Sequence, residues 1–177
     1  GFTSSANKVT IDGSATCKDM TWAAAPNNPI LGISGEWSQQ NINIYGSLTL
    51  QNEMGFEVPK IKFRATQPNQ TITTNGVPLG SQNQTYNSSS VTFEGSGEWI
   101  LNDDFKVLNY SAIFVNQGSL NTNSKNVTVD RFLAYENSAL SLGSSVMSVN
   151  TWRCLSNVFD AGTSLIDGLG SQSAFSG

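Results

Sequence analysis

Ile42-Asn43-Ile44-Tyr45-Gly46-Ser47-Leu48-Thr49-Leu50 sets two apolar–polar–apolar triplets around a Tyr-Gly-Ser turn. Apolar residues at every second position mark a strand with one buried face. Gly and Ser between two such runs supply turn chemistry. The same words return further on: Glu36-Trp37 leads into Tyr45-Gly46-Ser47-Leu48-Thr49, and Glu98-Trp99 leads into Gln117-Gly118-Ser119-Leu120-Asn121. Repetition of this sort is what the coils of a β-helix look like. Each coil holds about 20–25 residues in loose consensus and cannot bury its face without neighbours.

Outward from this stretch the pattern holds. Val9-Thr10-Ile11, Ile61-Lys62-Phe63, Val91-Thr92-Phe93, Val127-Thr128-Val129 and Leu140-Ser141-Leu142 repeat the triplet, with Asp12-Gly13, Gly95-Ser96-Gly97 and Leu142-Gly143-Ser144 as turns. Helical periodicity is nearly absent, and Val129 to Ser138 has room for one helical turn at most. The expected fold is all-β: a single-stranded parallel β-helix (β-solenoid) over residues 1–177 as one domain. A β-sandwich is the alternative that many short strands with polar turns also allow. Gln67 to Ser90, richest in Asn, Gln, Ser and Thr, reads as a longer side loop, with a binding loop as the sharper alternative.

Composition narrows the function. Hydrophobic residues make up 38% and charged residues only 12% of 177 residues, with a net charge of -4. Asn, Ser and Thr fill the difference, satisfying turns without ionising. The acidic balance and the absence of a Lys/Arg run along the chain argue against nucleic acid. No apolar stretch has the length of a membrane helix. The opening Gly1-Phe2-Thr3-Ser4-Ser5 lacks the basic start and apolar run of a signal peptide, so the chain is expected to be a segment of a longer protein. Cys17 and Cys154 lie several coils apart in a linear stack, beyond disulfide reach, and are expected as reduced, buried small hydrophobes.

Histidine is absent, which removes Ser-His-Asp and Cys-His nucleophilic sites and the commonest general base. Asp103-Asp104 is the adjacent acidic pair. Its plain reading is a turn leading into a strand, because neighbouring side chains project apart; calcium ligation and acid–base catalysis are the alternatives. Asp12, Asp130 and Asp160 flank strands in the same way. Lys60, Lys62 and Arg64 alternate along one strand, either as a solvated face or as a docking patch for an anionic glycan. Trp22, Trp37, Trp99 and Trp152 recur at coil-like intervals and read mostly as core, with sugar stacking as the alternative. Thr71-Ile72-Thr73-Thr74 is similar to one row of the flat Thr arrays of ice-binding solenoids, but an array needs several coils.

Val9 to Asp12, Cys17 to Trp22, Ile44 to Leu50, Phe93 to Asp104, Gly118 to Asn123 and Phe159 to Ile166 together resemble a family of repeats in large secreted and cell-surface proteins of Bacteroidota bacteria. The resemblance covers nearly the whole chain through short motifs. It implies a right-handed β-helix stalk or adhesin, exported by the type IX pathway and located outside the cell. The function expected is a non-enzymatic structural stalk or adhesin segment, with no catalytic, cofactor or metal residues. A carbohydrate-binding module is the alternative, and a polysaccharide lyase or hydrolase stands behind it. Surface glycans or cell-surface proteins are the expected partners, with end-to-end self-association through uncovered strand edges.

Overall fold

The computed structural model describes residues 7–23, 27–33, 40–80, 89–108, 110–169 and 174–176. Among them it forms strands and no helix. Three coils open the stack: β1 (Lys8–Ile11), β2 (Ala15–Cys17) and β3 (Met20–Thr21), then β4 (Ile30–Ile33), β5 (Ile42–Ile44) and β6 (Leu48–Thr49), then β7 (Gly55–Glu57), β8 (Lys60–Phe63) and β9 (Gln70–Thr73). Four more follow: β10 (Ser90–Phe93), β11 (Glu98–Leu101) and β12 (Phe105–Lys106); β13 (Ala112–Val115), β14 (Gly118–Asn121) and β15 (Val127–Thr128); β16 (Arg131–Ala134), β17 (Ser138–Ser141) and β18 (Val146–Val149); β19 (Thr151–Cys154), β20 (Val158–Asp160) and β21 (Leu165–Gly168). β22 (Ala174–Ser176) adds one further strand.

Each coil passes through the same faces in turn. An eight-stranded sheet runs β2-β5-β8-β10-β13-β16-β19-β22, and a seven-stranded sheet runs β20-β17-β14-β11-β9-β6-β3. The strand ahead of the eight-stranded sheet belongs to β1-β4-β7 in the first coils and to β12-β15-β18-β21 in the later ones. Strand pairing is parallel at every coil-to-coil step, for example Val91 opposite Ile113 and Ile113 opposite Phe132. The molecule is therefore a parallel β-solenoid of about seven turns. A sandwich would need antiparallel neighbours, so that alternative is set aside.

The core follows from the alternation. β8 and β11 each turn every second residue inward, and Ile61, Phe63, Trp99 and Leu101 are buried. Successive coils place like on like. The Phe63 and Phe93 rings stack at 5.0 Å, with Trp99 tilted against Phe93 at 5.3 Å, and Phe132 stacks on Trp152 at 4.9 Å. Each such pair adds about 0.5–1.5 kcal/mol beyond area burial. Trp99 Nε1 has no hydrogen-bond partner, which costs about 1–3 kcal/mol.

Two expectations need correction and a third is sharpened. Val129 to Ser138, allowed at most one helical turn, holds β16, and Arg131–Ala134 pairs with both β13 and β19. In a stack, an incoming segment meets a ready strand edge, and that outweighs weak local propensity. Gln67 to Ser90 is not one loop: Gln70–Thr73 is β9, and Leu79 is buried and bridges to Val107. Residues 81–88 of that stretch lie outside the described residues. Cys17 is half-buried rather than buried, whereas Cys154 is buried. Their strands are first and seventh in the eight-stranded sheet, so at the usual strand spacing the two thiols sit about 29 Å apart.

Candidate functional site

Two sets of polar residues ask for a function, and most of the first are structural. Asp103 and Asp104 project apart, one to the preceding coil and one to the next. Asp103 accepts hydrogen bonds from the backbone N–H and hydroxyl of Thr74, at 2.9 and 3.2 Å, and from the backbone of Asn75. Asp104 accepts from the backbone N–H of Asn126 at 2.8 Å. Adjacent carboxylates thus become ties along the stack. Asp160 caps its own turn by accepting from Gly162 N. Asn75 and Asn123, both with positive φ, donate Nδ2 to Leu50 O and Leu101 O of the preceding coil. Short amide side chains tolerate that backbone and reach a carbonyl, which is why Asn suits these two corners. Among the described residues, no three His, Cys, Asp or Glu side chains gather as a metal site would need.

Of the tryptophans, Trp99 and Trp152 are core, Trp22 is half-buried against it, and Trp37 lies outside the described residues. Thr73 is in register with Thr49, and Thr49 with Thr21, so a hydroxyl column spans three coils. It ends at Asn102, which donates to Thr73 Oγ1. Glu98-Trp99 opens β11 in register with Ser119-Leu120 of β14. Glu-Trp and Gly-Ser-Leu therefore share one coil position in this part of the chain, while Glu36-Trp37 lies outside the described residues.

The second set is the outer face of the eight-stranded sheet. Outward positions on one line run Asn43, Lys62, Thr92, Phe114, Leu133 and Arg153, each in register with the next. A parallel line carries Lys60, Ser90, Ala112, Arg131 and Thr151. One position beyond the buried ends of the strands lie Tyr45, Arg64, Glu94, Asn116, Tyr135 and Leu155, held by backbone bonds such as Glu94 N to Phe63 O at 2.8 Å. Five of the nine cations of an acidic chain, Lys60, Lys62, Arg64, Arg131 and Arg153, come to this face. Lys60, Lys62 and Arg64 are already neighbours in or just after β8, and coiling adds Arg131 and Arg153 to the same face three and four coils further on.

Lys62, Arg64 and Glu94 form one network. Lys62 Nζ donates to Glu94 Oε1 at 2.9 Å, and Arg64 Nη2 and Nε donate to Oε2 at 2.8 and 3.1 Å. Partial burial of Glu94 works against its charge, but the hydrogen bonds from Lys62 and Arg64 prevail and hold its carboxyl below the usual range. The bond to Glu94, then Tyr45, keeps the Arg64 guanidinium above its ordinary value. Further along the face, Phe114, Leu133, Tyr135 and Leu155 are half-buried, forming an apolar strip beside Arg131 and Arg153. Sequence reasoning found Lys60, Lys62 and Arg64 but missed their acid. Lys60 is opposite Ser90, an offset of 30 residues, and a period near 20 does not bring Glu94 to Arg64.

No helix of the described residues is long and apolar enough to cross a membrane. No known family matches the chain, and neither a characterised protein nor a solved structure matches it.

Proposed function

We propose that this chain is a non-enzymatic stalk or adhesin segment of a secreted or cell-surface bacterial protein. The observation that carries this reading is the use made of the acids: Asp103, Asp104 and Glu94 are each committed to tying one coil to another. A glycan-cleaving site would need such carboxylates converging on one groove. Parallel strands bonded on both sides give a stiff element suited to extending a binding surface. The test combines antibody labelling of intact producing cells with reducing-end assays on polysaccharides. Surface labelling without bond cleavage is expected; labelling only after lysis, or release of new sugar ends, contradicts it.

A second reading is favoured by the cationic outer face: it holds an anionic glycan. Five cations at three of the eight strands, with Lys62 and Arg64 engaged by Glu94 and Arg131 beside Asp130, are sparse for nucleic-acid phosphates and leave an acidic polysaccharide as the polyanion this reading takes. Polygalacturonate should bind in a salt-sensitive manner, and dextran and duplex DNA should not. Glu94→Gln releases Lys62 and Arg64 and should strengthen binding. Equal binding of DNA, or binding indifferent to Glu94→Gln, counts against this reading.

A further inference from the structure

The corner leading into the eight-stranded sheet holds a cleft of about 280 Å³. It is lined by Val107, Tyr110, Thr128, Asp130, Asn150 and Leu169, contributed by four successive coils. The volume lies just below the range of about 300–1,000 Å³ for drug-sized ligands, so it suits one small ring. Its walls are of two kinds. Val107 and Leu169 are apolar; Asp130 and Asn150 are polar and fixed, with Asn150 Nδ2 donating to Asp130 Oδ1 at 2.8 Å. The backbone N–H groups of Asn150 and Thr151 both donate to Asp130 O at 2.9 Å. Arg131 Nε stands 3.9 Å from Asp130 Oδ2. These contacts set the carboxylate in place before any ligand arrives.

Tyr110 is the unusual member. It is 64% exposed and has a φ of 62°. The seven other non-glycine residues with positive φ among the described residues are Asn, Ser or Glu. Backbone in that region disfavours bulky side chains, and strained positions concentrate where a binding role holds them. Neither core packing nor turn chemistry accounts for an exposed aromatic ring there.

We propose that this cleft binds one ring of a neutral saccharide. The face of Tyr110 takes the apolar C–H face of a pyranose. Asp130 accepts hydrogen bonds from its hydroxyls, and Asn150 Oδ1 adds a second acceptor. The ligand must combine a flat apolar face with neighbouring hydroxyl donors, and the central carboxylate excludes anionic sugars. That separates the cleft from the cationic outer face, and the proposal stands whether or not that face binds a polyanion.

Amide NMR titration of the whole isotope-labelled chain with cellotriose, mannotriose and xylotriose tests it. At least one sugar should give saturable shifts at Thr128, Asp130, Asn150 and Leu169, with affinity unchanged by added salt. Tyr110→Asn places at that φ the residue type that tolerates it, so the variant should melt no lower than the parent while binding at least about tenfold more weakly. Tyr110→Phe should bind as the parent does, and Asp130→Asn should bind more weakly. Absence of saturable shifts at these amides, or full binding by Tyr110→Asn, overturns the proposal. Saturable shifts confined to the outer face of the eight-stranded sheet, around Lys62, Arg64 and Glu94, also overturn it, and assign the sugar to that face.

Discussion

Phe63 and Phe93 meet through ring faces 5.0 Å apart, inside the stack. Two residues further along the chain Ala65 and Gly95 meet through backbone alone, and a methyl on Gly95 would lie 2.0 Å from the Ala65 carbonyl oxygen. The next coil repeats the closeness, because a Cβ on Gly118 would lie 2.3 Å from Gly95 O and 2.4 Å from Gly97 O, with φ at +75°. The interior offers many small contacts that rearrange among themselves; the corner offers a few backbone contacts that do not. The apolar columns supply most of the driving force for stacking, and the corners decide where each coil turns. A substitution at such a corner should therefore be felt more than a volume-conserving one in the core.

That contrast is open to direct attack. Gly118→Ala, a single added methyl, should destabilise the chain by about 2–5 kcal/mol, since left-handed backbone and overpacking both oppose it; chemical denaturation measures it. Asp103→Ala removes the acceptor for buried Thr74 N and two further donors. A loss of about 2–3 kcal/mol is expected by the same method. Met147→Leu alters a fully buried core side chain and should cost under about 1.5 kcal/mol. A core swap that proved costlier than Gly118→Ala would reverse the comparison.

The smallest effect concerns the outer face and depends on pH. The Glu94 carboxyl is held below its usual range in the folded chain. Its contribution to stability is therefore fully present above the unfolded value of about 4.3 and is lost as pH falls through the lower folded value. The stability difference between the parent and Glu94→Gln should be at most about 1 kcal/mol at neutral pH and vanish in acid. A difference that grew in acid would mean that the Lys62–Glu94–Arg64 network is not what lowers this carboxyl.

The core was legible from the sequence because its signal is local. A period of two survives in nearly every strand, so Ile42-Asn43-Ile44 and Val91-Thr92-Phe93 show their buried faces without neighbours. Asp103-Asp104 was legible as turn chemistry for the same reason. The outer face was not. Arg64 meets Glu94 only because the intervening coil is long, and Arg131 shares a face with Arg153 because an offset of 20 residues pairs Arg131 with Thr151 and Leu133 with Arg153. Such meetings depend on coil lengths, and turns and insertions set these without a periodic mark. β16 was missed for a related reason: its pairing with β13 and β19 is a property of the stack and not of Arg131-Phe132-Leu133-Ala134 alone. Tyr110 carried no signal at all, since exposure and a positive φ are visible only once the corner is built.

Parallel coil-on-coil register is the claim on which the remainder rests, and nuclear Overhauser contacts around Ile113 test it most directly. Hα-to-amide contacts are expected from the Ile113 strand to Val91 on one side and Phe132 on the other, in the staggered pattern of parallel neighbours. Close Hα-to-Hα pairs between any two of these strands, as antiparallel partners give, would contradict it.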